Sequence, residues 1–151
     1  MNVSGPAVLS AWRTFVRDHE GVGVGGAVAE AAEAAEAGPA LGLVILHDEL
    51  ESSPSTLKIR RGMAGSTKGH NGLKSVLTSL RSAGLSKEME SRLVRMGVGI
   101  GRPSAGGRER GEVSDYVLGK VTVPERERIE GLVGRLVDVL GEDGERIAKL
   151  R

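Results

Sequence analysis

The feature of the sequence that most constrains the fold is a continuous apolar run, Leu43-Val44-Ile45-Leu46, which ends at the polar residues His47-Asp48-Glu49. A short apolar run of this kind is typical of a strand that is buried on both faces at the centre of a sheet. Ligands of α/β proteins gather beyond the carboxyl ends of such strands. The run therefore predicts a central strand and makes the three polar residues the first candidate site.

Segments with the apolar spacing of helices alternate with the predicted strands. We expect helices from Ser4 to about His19, from Asn71 to about Leu80 and from Pro124 to Leu140, and further strands over residues 56–60 and 92–100. The last helix carries the clearest apolar stripe, which we predict to face the core: Ile129, Leu132, Val133, Leu136, Val137 and Leu140. Strands that alternate with helices predict an α/β domain.

Residues 21–40 stand apart from this pattern. They contain a glycine-rich stretch, Gly21–Gly26, followed by alanines and glutamates over Ala27–Ala37. The glycines form a G-x-G-x-x-G, but no strand precedes them, so the motif indicates a loop rather than a dinucleotide site. We interpret residues 21–40 as a low-complexity insertion on the surface of a single domain that spans residues 1–151.

The composition limits the class of protein. A chain of 151 residues fits one domain of ordinary size. Cysteine is absent, which excludes disulfides and thiolate metal sites, and the three histidines are too far apart for a recognisable zinc motif. No apolar run reaches the length of a membrane helix, and the first residues lack the pattern of a signal peptide. We expect a monomer in the cytoplasm, with the mitochondrion as the alternative compartment.

Positive charge is concentrated locally although the formal net charge is only +1. The stretch from Lys58 to Lys74 contains five basic residues and no acidic residue. Such a stretch suits contacts with a phosphate backbone, and it is equally compatible with a solvated strand face.

Two short segments carry groups suited to catalysis. Asp48, at the end of the predicted central strand, has the position of an acid that orients a histidine, or of a turn-forming aspartate. Gly69-His70-Asn71-Gly72 precedes a helix, and Asn71 is well placed to cap it. The flanking glycines and the positive end of the helix favour an anion such as a phosphate or an oxyanion. A capped helix with a solvent-facing histidine is the alternative.

Five motifs occur in a distinctive order. They are M-N-V-S-G at residues 1–5, H-D-E-L at 47–50, K-I-R-R-G with G-H-N-G-L-K at 58–62 and 69–74, V-G-I-G-R-P at 98–103 and Y-V-L-G-K at 116–120. In this order they resemble the motifs of the bacterial-type peptidyl-tRNA hydrolase family. The resemblance extends from Met1 to about Pro124, apart from the insertion. It implies a mixed, mostly parallel central sheet with helices on both faces, in three layers.

The resemblance also implies an activity, which is hydrolysis of the ester bond between a peptide, or an N-blocked aminoacyl group, and tRNA, without a metal or cofactor. In the family a histidine activates water, the residue matching Asp48 orients that histidine, and the residue matching Asn2 positions water or substrate. The residue matching Arg60 holds a tRNA phosphate. The other residues implied in contacts with the peptide or the tRNA are Met1, Lys68, Gly69, His70, Asn71, Lys74 and Arg95.

The sequence departs from the family at points that bear on this chemistry. The opening strand and its G-N-P-G…T-R-H-N-x-G motif, which carries the catalytic histidine, would precede Met1, and His19 follows the first motif and does not replace it. A phosphate-binding arginine before V-G-I-G is replaced by Gly97. We therefore expect a hydrolase, with a catalytically inactive tRNA-binding module of the same fold as the alternative.

Overall fold

The computed structural model describes residues 4–19, 40–67, 70–102 and 115–150. Within these ranges the elements follow the order α1 (Ser4–His19), β1 (Leu43–Glu49), β2 (Leu57–Arg61), α2 (Asn71–Ser82), α3 (Ser86–Arg92), β3 (Leu93–Gly99), α4 (Val123–Glu130) and α5 (Val133–Ala148). The predicted insertion at residues 21–40 lies outside the described residues except for its last position. None of the described helices is both long and apolar enough to cross a membrane.

The chain divides into two compact units, each assembled from separate stretches of sequence. Unit 1 consists of Met1–Val44, Arg61–Val94 and Glu142–Arg151. Unit 2 consists of Ile45–Arg60 and Arg95–Gly141. The prediction of a single domain stays a prediction.

The three strands form one sheet in the order β1-β3-β2. β2 and β3 are antiparallel, because the amide of Gly62 donates to the carbonyl of Leu93 at 2.8 Å while the amide of Gly99 donates to the carbonyl of Thr56 at 2.8 Å. Residue numbers that rise on one strand as they fall on the other define an antiparallel register.

β1 and β3 are parallel. The amide of Ile100 donates to the carbonyl of Glu49 at 3.3 Å just past the end of β3. Before the start of both strands, Gly42 lies close to the carbonyl of Arg92. The sheet is therefore mixed, and the predicted α/β class is confirmed.

The apolar run does not form the central strand, so that prediction is wrong. β1 is at the edge of the sheet that the described strands form, with Val44 40 % and Leu46 58 % exposed. The central strand is β3, where residues 93–97 and Gly99 are all buried. β3 is central because it is hydrogen-bonded along both edges, but its glycines and Arg95 interrupt the apolar run that would predict this position.

In unit 1, α1 packs on α2 at a point of close backbone contact. The amide of Gly5 donates to Ser75 Oγ at 3.1 Å. A Cβ atom at Gly5 would lie 2.3 Å from the carbonyl oxygen of Ser75 and 2.4 Å from Ser79 Oγ, so only glycine fits there. α2 buries Leu73, Val76, Leu77 and Leu80, which confirms its predicted apolar face.

The C-terminal helical segment differs from its predicted orientation. The single predicted helix is two helices separated by Gly131 and Leu132, where the Leu132 amide bonds the carbonyl of Ile129 instead of continuing the α-helical pattern. Several residues of the predicted core stripe are exposed: Ile129 36 %, Val133 51 %, Val137 60 % and Leu140 45 %. The buried face of α5 is an adjacent one, with Val139, Asp143 and Ile147 at four-residue spacing.

An ion cluster around Asp143 holds the end of α5 within unit 1. Asp143 is 2 % exposed and accepts bonds from Arg61 Nε at 2.7 Å and Nη2 at 3.1 Å, and from Arg146 Nε at 2.7 Å. Burial alone would raise the pKa of Asp143, but the two guanidinium groups outweigh burial and hold that pKa below its usual value. Arg61 therefore has a structural role, although it lies within the basic stretch.

The contact at Gly5 yields a stability prediction. Gly5→Ala is expected to lower the free energy of unfolding by about 1–3 kcal/mol, because the methyl group cannot be placed without separating α1 from α2. The matched control is Gly141→Ala in α5, where nothing lies within 4 Å of an added Cβ. This control is expected to raise the free energy of unfolding by about 0.5–1 kcal/mol through helix propensity. Urea titration measures both, and equal effects of the two substitutions would contradict the packing described.

Candidate functional site

The carboxyl end of β1, in unit 2, presents three polar side chains. His47, Asp48 and Glu49 are all partly buried. His47 Nδ1 lies 2.7 Å from the backbone carbonyl of Asp48. A carbonyl oxygen only accepts, so Nδ1 carries the proton in this bond and Nε2 is the basic nitrogen of the neutral ring. The structure thus places the predicted Asp48 at a strand end, with a histidine ring fixed next to it in sequence.

Arg60 of β2 is ion-paired at the same end of unit 2. Its Nη1 atom donates to Glu49 Oε2 at 2.9 Å, and the side chains are 25 % and 14 % exposed respectively. Glu49 of this pair lies against Gly97 of β3, where an added Cβ would lie 3.2 Å from Glu49 Cβ and 3.1 Å from His47 Cε1. A Cβ at position 97 would therefore require these two side chains to shift by a few tenths of an ångström.

The other cations predicted to contact tRNA in unit 2 have different surroundings. Lys58 is exposed on β2. Arg95 is 1 % exposed, so its guanidinium is not presented on the surface. A phosphate contact from Arg95 does not fit this burial, which follows from the position of Arg95 on the central strand.

A groove in unit 2 surrounds Tyr116, whose hydroxyl donates to the carbonyl of Ile100 at 2.7 Å. Tyr116 lines a cavity of about 570 Å³ bordered by the exposed ion pair of Glu51 and Arg102. It also lines a cavity of about 340 Å³ with a more apolar wall that includes Val121 and Ile129. Sequence analysis missed this groove, although Tyr116 belongs to one of the motifs.

The turn that follows the strand end is strained. The amide of Thr56 bonds the carbonyl of Ser53 at 3.2 Å, with Pro54 and Ser55 between them, and Ser55 has φ of 64°. This left-handed conformation is normally taken by glycine or asparagine in a turn that begins with proline. Ser55 and Pro54 line the apolar cavity of the groove, so the strained residue belongs to its wall.

The G-H-N-G segment belongs to unit 1, and there the prediction that Asn71 caps the helix is wrong. The cap is His70, whose Nδ1 accepts a bond from the amide of Leu73 at 3.0 Å. The imidazole nitrogen reaches the third amide of the helix, which an asparagine cap would otherwise satisfy. Asn71 is the first residue of α2 and is exposed, as is Lys74 one turn later. The predicted site residues Met1, Asn2, Lys68 and Gly69 lie outside the described residues.

The family model and the similar sequences that match this chain carry the same description. The family model described as peptidyl-tRNA hydrolase matches residues 22–145. A peptidyl-tRNA hydrolase of Actinobacillus pleuropneumoniae is 38 % identical over 105 residues, which cover 68 % of this chain and 47 % of that protein. One of Geobacter metallireducens is 34 % identical over 100 residues, which cover 66 % and 44 % respectively. The chain spans about half the length of these relatives.

A solved structure shares the fold. The crystal structure of peptidyl-tRNA hydrolase from Acinetobacter baumannii matches with a TM-score of 0.54 and 22 % identity. The alignment covers 98 % of this chain and 61 % of that protein. At this identity the likeness concerns the fold alone.

The cap at His70 can be tested apart from any contact with a substrate. His70→Ala is expected to lower the free energy of unfolding by about 1 kcal/mol, because the Leu73 amide loses its acceptor. His70→Asn restores an acceptor and is expected to keep most of the stability. Urea unfolding measures the free energy of unfolding of both variants. Equal losses of this free energy for alanine and asparagine would show that the imidazole does not act as a cap.

Proposed function

Because the chain belongs to the peptidyl-tRNA hydrolase family, we propose that it hydrolyses the ester bond between a peptide, or an N-blocked aminoacyl group, and tRNA. The observation that carries the proposal is the family match over residues 22–145, which includes the H-D-E-L motif at the end of β1. The proposed substrate is therefore peptidyl-tRNA, and the products are free tRNA and a peptide carboxylate.

The proposed reaction needs water, a proton acceptor and stabilisation of an oxyanion. Water adds to the ester carbonyl as its proton passes to the imidazole of the family's catalytic histidine, whose motif is not among residues 1–151, and the bond to the ribose oxygen then breaks as that oxygen takes up a proton. We assign to Asp48 the role of orienting the imidazole, as the acid of a hydrolytic triad does. A strand end suits this role because its backbone is fixed by the sheet.

Substrate contacts are proposed for each unit separately. In unit 2, Arg60 is assigned to a tRNA phosphate. In unit 1, His70, Asn71 and Lys74 are assigned to the peptide or the tRNA end, and their exposure or position at the start of α2 supports this. Met1, Asn2, Lys68 and Gly69 are assigned to the substrate by the resemblance alone. Arg95 is not assigned to the tRNA, because its side chain is buried.

We also propose an oligomeric state and a cellular compartment. We infer that it acts as a monomer on translation products in the cytoplasm, with the mitochondrion as the alternative. Its substrate is polyanionic, so binding is expected to weaken as salt concentration rises.

A substitution at Asp48 tests the proposed chemistry. Asp48→Asn keeps the size of the side chain and removes its charge, and it is expected to lower the rate of cleavage of N-acetylaminoacyl-tRNA at least about 100-fold. The matched control is Asp138→Asn, which changes an exposed aspartate of α5 and is expected to leave the rate unchanged. Release of the N-acetylated amino acid is measured with each purified chain.

The possible outcomes separate the two candidate functions. Cleavage that depends on Asp48 supports the hydrolase. Salt-sensitive tRNA binding by the unaltered chain without any cleavage supports the inactive tRNA-binding module. Full turnover by the Asp48→Asn variant would contradict the assigned role of Asp48.

A further inference from the structure

We infer that Glu49 attenuates the attraction between Arg60 and RNA phosphates, so that Glu49 sets how tightly the protein holds a tRNA backbone. The inference rests on the proposed function, because it assumes that Arg60 faces a phosphate. It adds to that function a residue that determines affinity without contacting the substrate itself.

The geometry of the ion pair supports this inference. Arg60 Nη1 and Glu49 Oε2 are 2.9 Å apart, and both side chains are largely shielded from water. Shielding strengthens the interaction of the two charges relative to an exposed pair. Glu49 therefore cancels much of the positive charge that Arg60 would otherwise present to an approaching anion.

The bond leaves part of the arginine available. A guanidinium has five N–H donors, and Arg60 makes this single hydrogen bond among the described residues. The Nε and Nη2 atoms can still donate to a phosphate, but that phosphate would then lie near the Glu49 carboxylate. Repulsion between the two anions weakens the contact without abolishing it.

Gly97 is part of the same arrangement. Because residue 97 has no side chain, the Glu49 carboxylate can lie against β3, with Oε2 3.4 Å from the position of an added Cβ. The position that carries a phosphate-binding arginine in the family is here the glycine that makes room for Glu49. The chain thus lacks one cation and neutralises another at the same strand end, and we expect weak binding to the RNA backbone.

Binding of deacylated tRNA, measured by fluorescence anisotropy over a range of KCl concentrations, tests the inference. Glu49→Gln keeps an oxygen that accepts from Arg60 and removes the negative charge. It is expected to tighten binding about fivefold at low salt and to steepen the slope of log K against log salt by about 1, since Arg60 then acts as a full counterion-releasing contact. Neither change is expected when Arg60→Gln is also present.

Two further variants make the test specific. Glu130→Gln removes the same charge from an exposed ion pair with Arg126 in unit 2, and it is expected to leave affinity unchanged. Gly97→Ala is a second control, because its methyl group requires shifts of only a few tenths of an ångström and leaves the ion pair in place, so affinity is expected to stay nearly unchanged. Thermal unfolding of each variant establishes that it is folded.

The outcomes distinguish this inference from the function on which it rests. If the unaltered chain binds tRNA and Glu49→Gln does not tighten binding, the inference fails and the proposed function stands. Equal tightening by Glu130→Gln would also overturn it, since net charge would then suffice. If neither the unaltered chain nor Glu49→Gln binds tRNA at any salt concentration, and the unaltered chain does not cleave N-acetylaminoacyl-tRNA, the proposed function fails and the inference fails with it.

Discussion

The position of β3, hydrogen-bonded to β1 on one edge and to β2 on the other, is the constraint on which the remaining structure depends. In unit 2 it accounts for the glycines of this strand. An added Cβ at Gly99 would lie 2.1 Å from the carbonyl oxygen of Ser53, and one at Gly97 would press on His47 and Glu49. The lack of a side chain at these two positions lets the side chains of His47 and Glu49 and the backbone of the turn at residues 53–56 lie directly beside the central strand.

The sequence predicts an element well where neighbouring residues along the chain determine its structure. The helix at the N-terminus, the buried face of α2 and the strand that ends at H-D-E were all recognisable from apolar spacing and polar boundaries. Tertiary context decided the rest. The apolar pattern favours β1 as the central strand, whereas the true central strand contains Arg95 and two glycines. Residue preference favours Asn71 as the cap of α2, whereas the cap is the preceding residue, His70.

The motifs single out Asp48, His70 and Arg60 as candidate site residues, and their roles stay predictions. The pairing of Arg60 with Glu49 depends on a register between strands that no local pattern reveals. No local pattern reveals the pairing of Arg61 with Asp143 either. Asp143 lies on the buried face of α5, and its negative charge is neutralised by ion pairs with Arg61 and Arg146. Two neighbouring arginines, Arg60 and Arg61, thus belong to different ion pairs in different units. A count of basic residues along the chain overstates the charge available to a nucleic acid.

We propose that the carboxyl end of β1 in unit 2 faces the tRNA. This is measured by the change in backbone amide NMR signals when a short RNA hairpin with the sequence of a tRNA acceptor stem is added. Within unit 2, the largest changes are expected at residues 47–49, Arg60 and Gly97, and small changes are expected over the exposed apolar residues Val133 and Val137. Large changes confined to those two valines, with residues 47–49 unaffected, would contradict it.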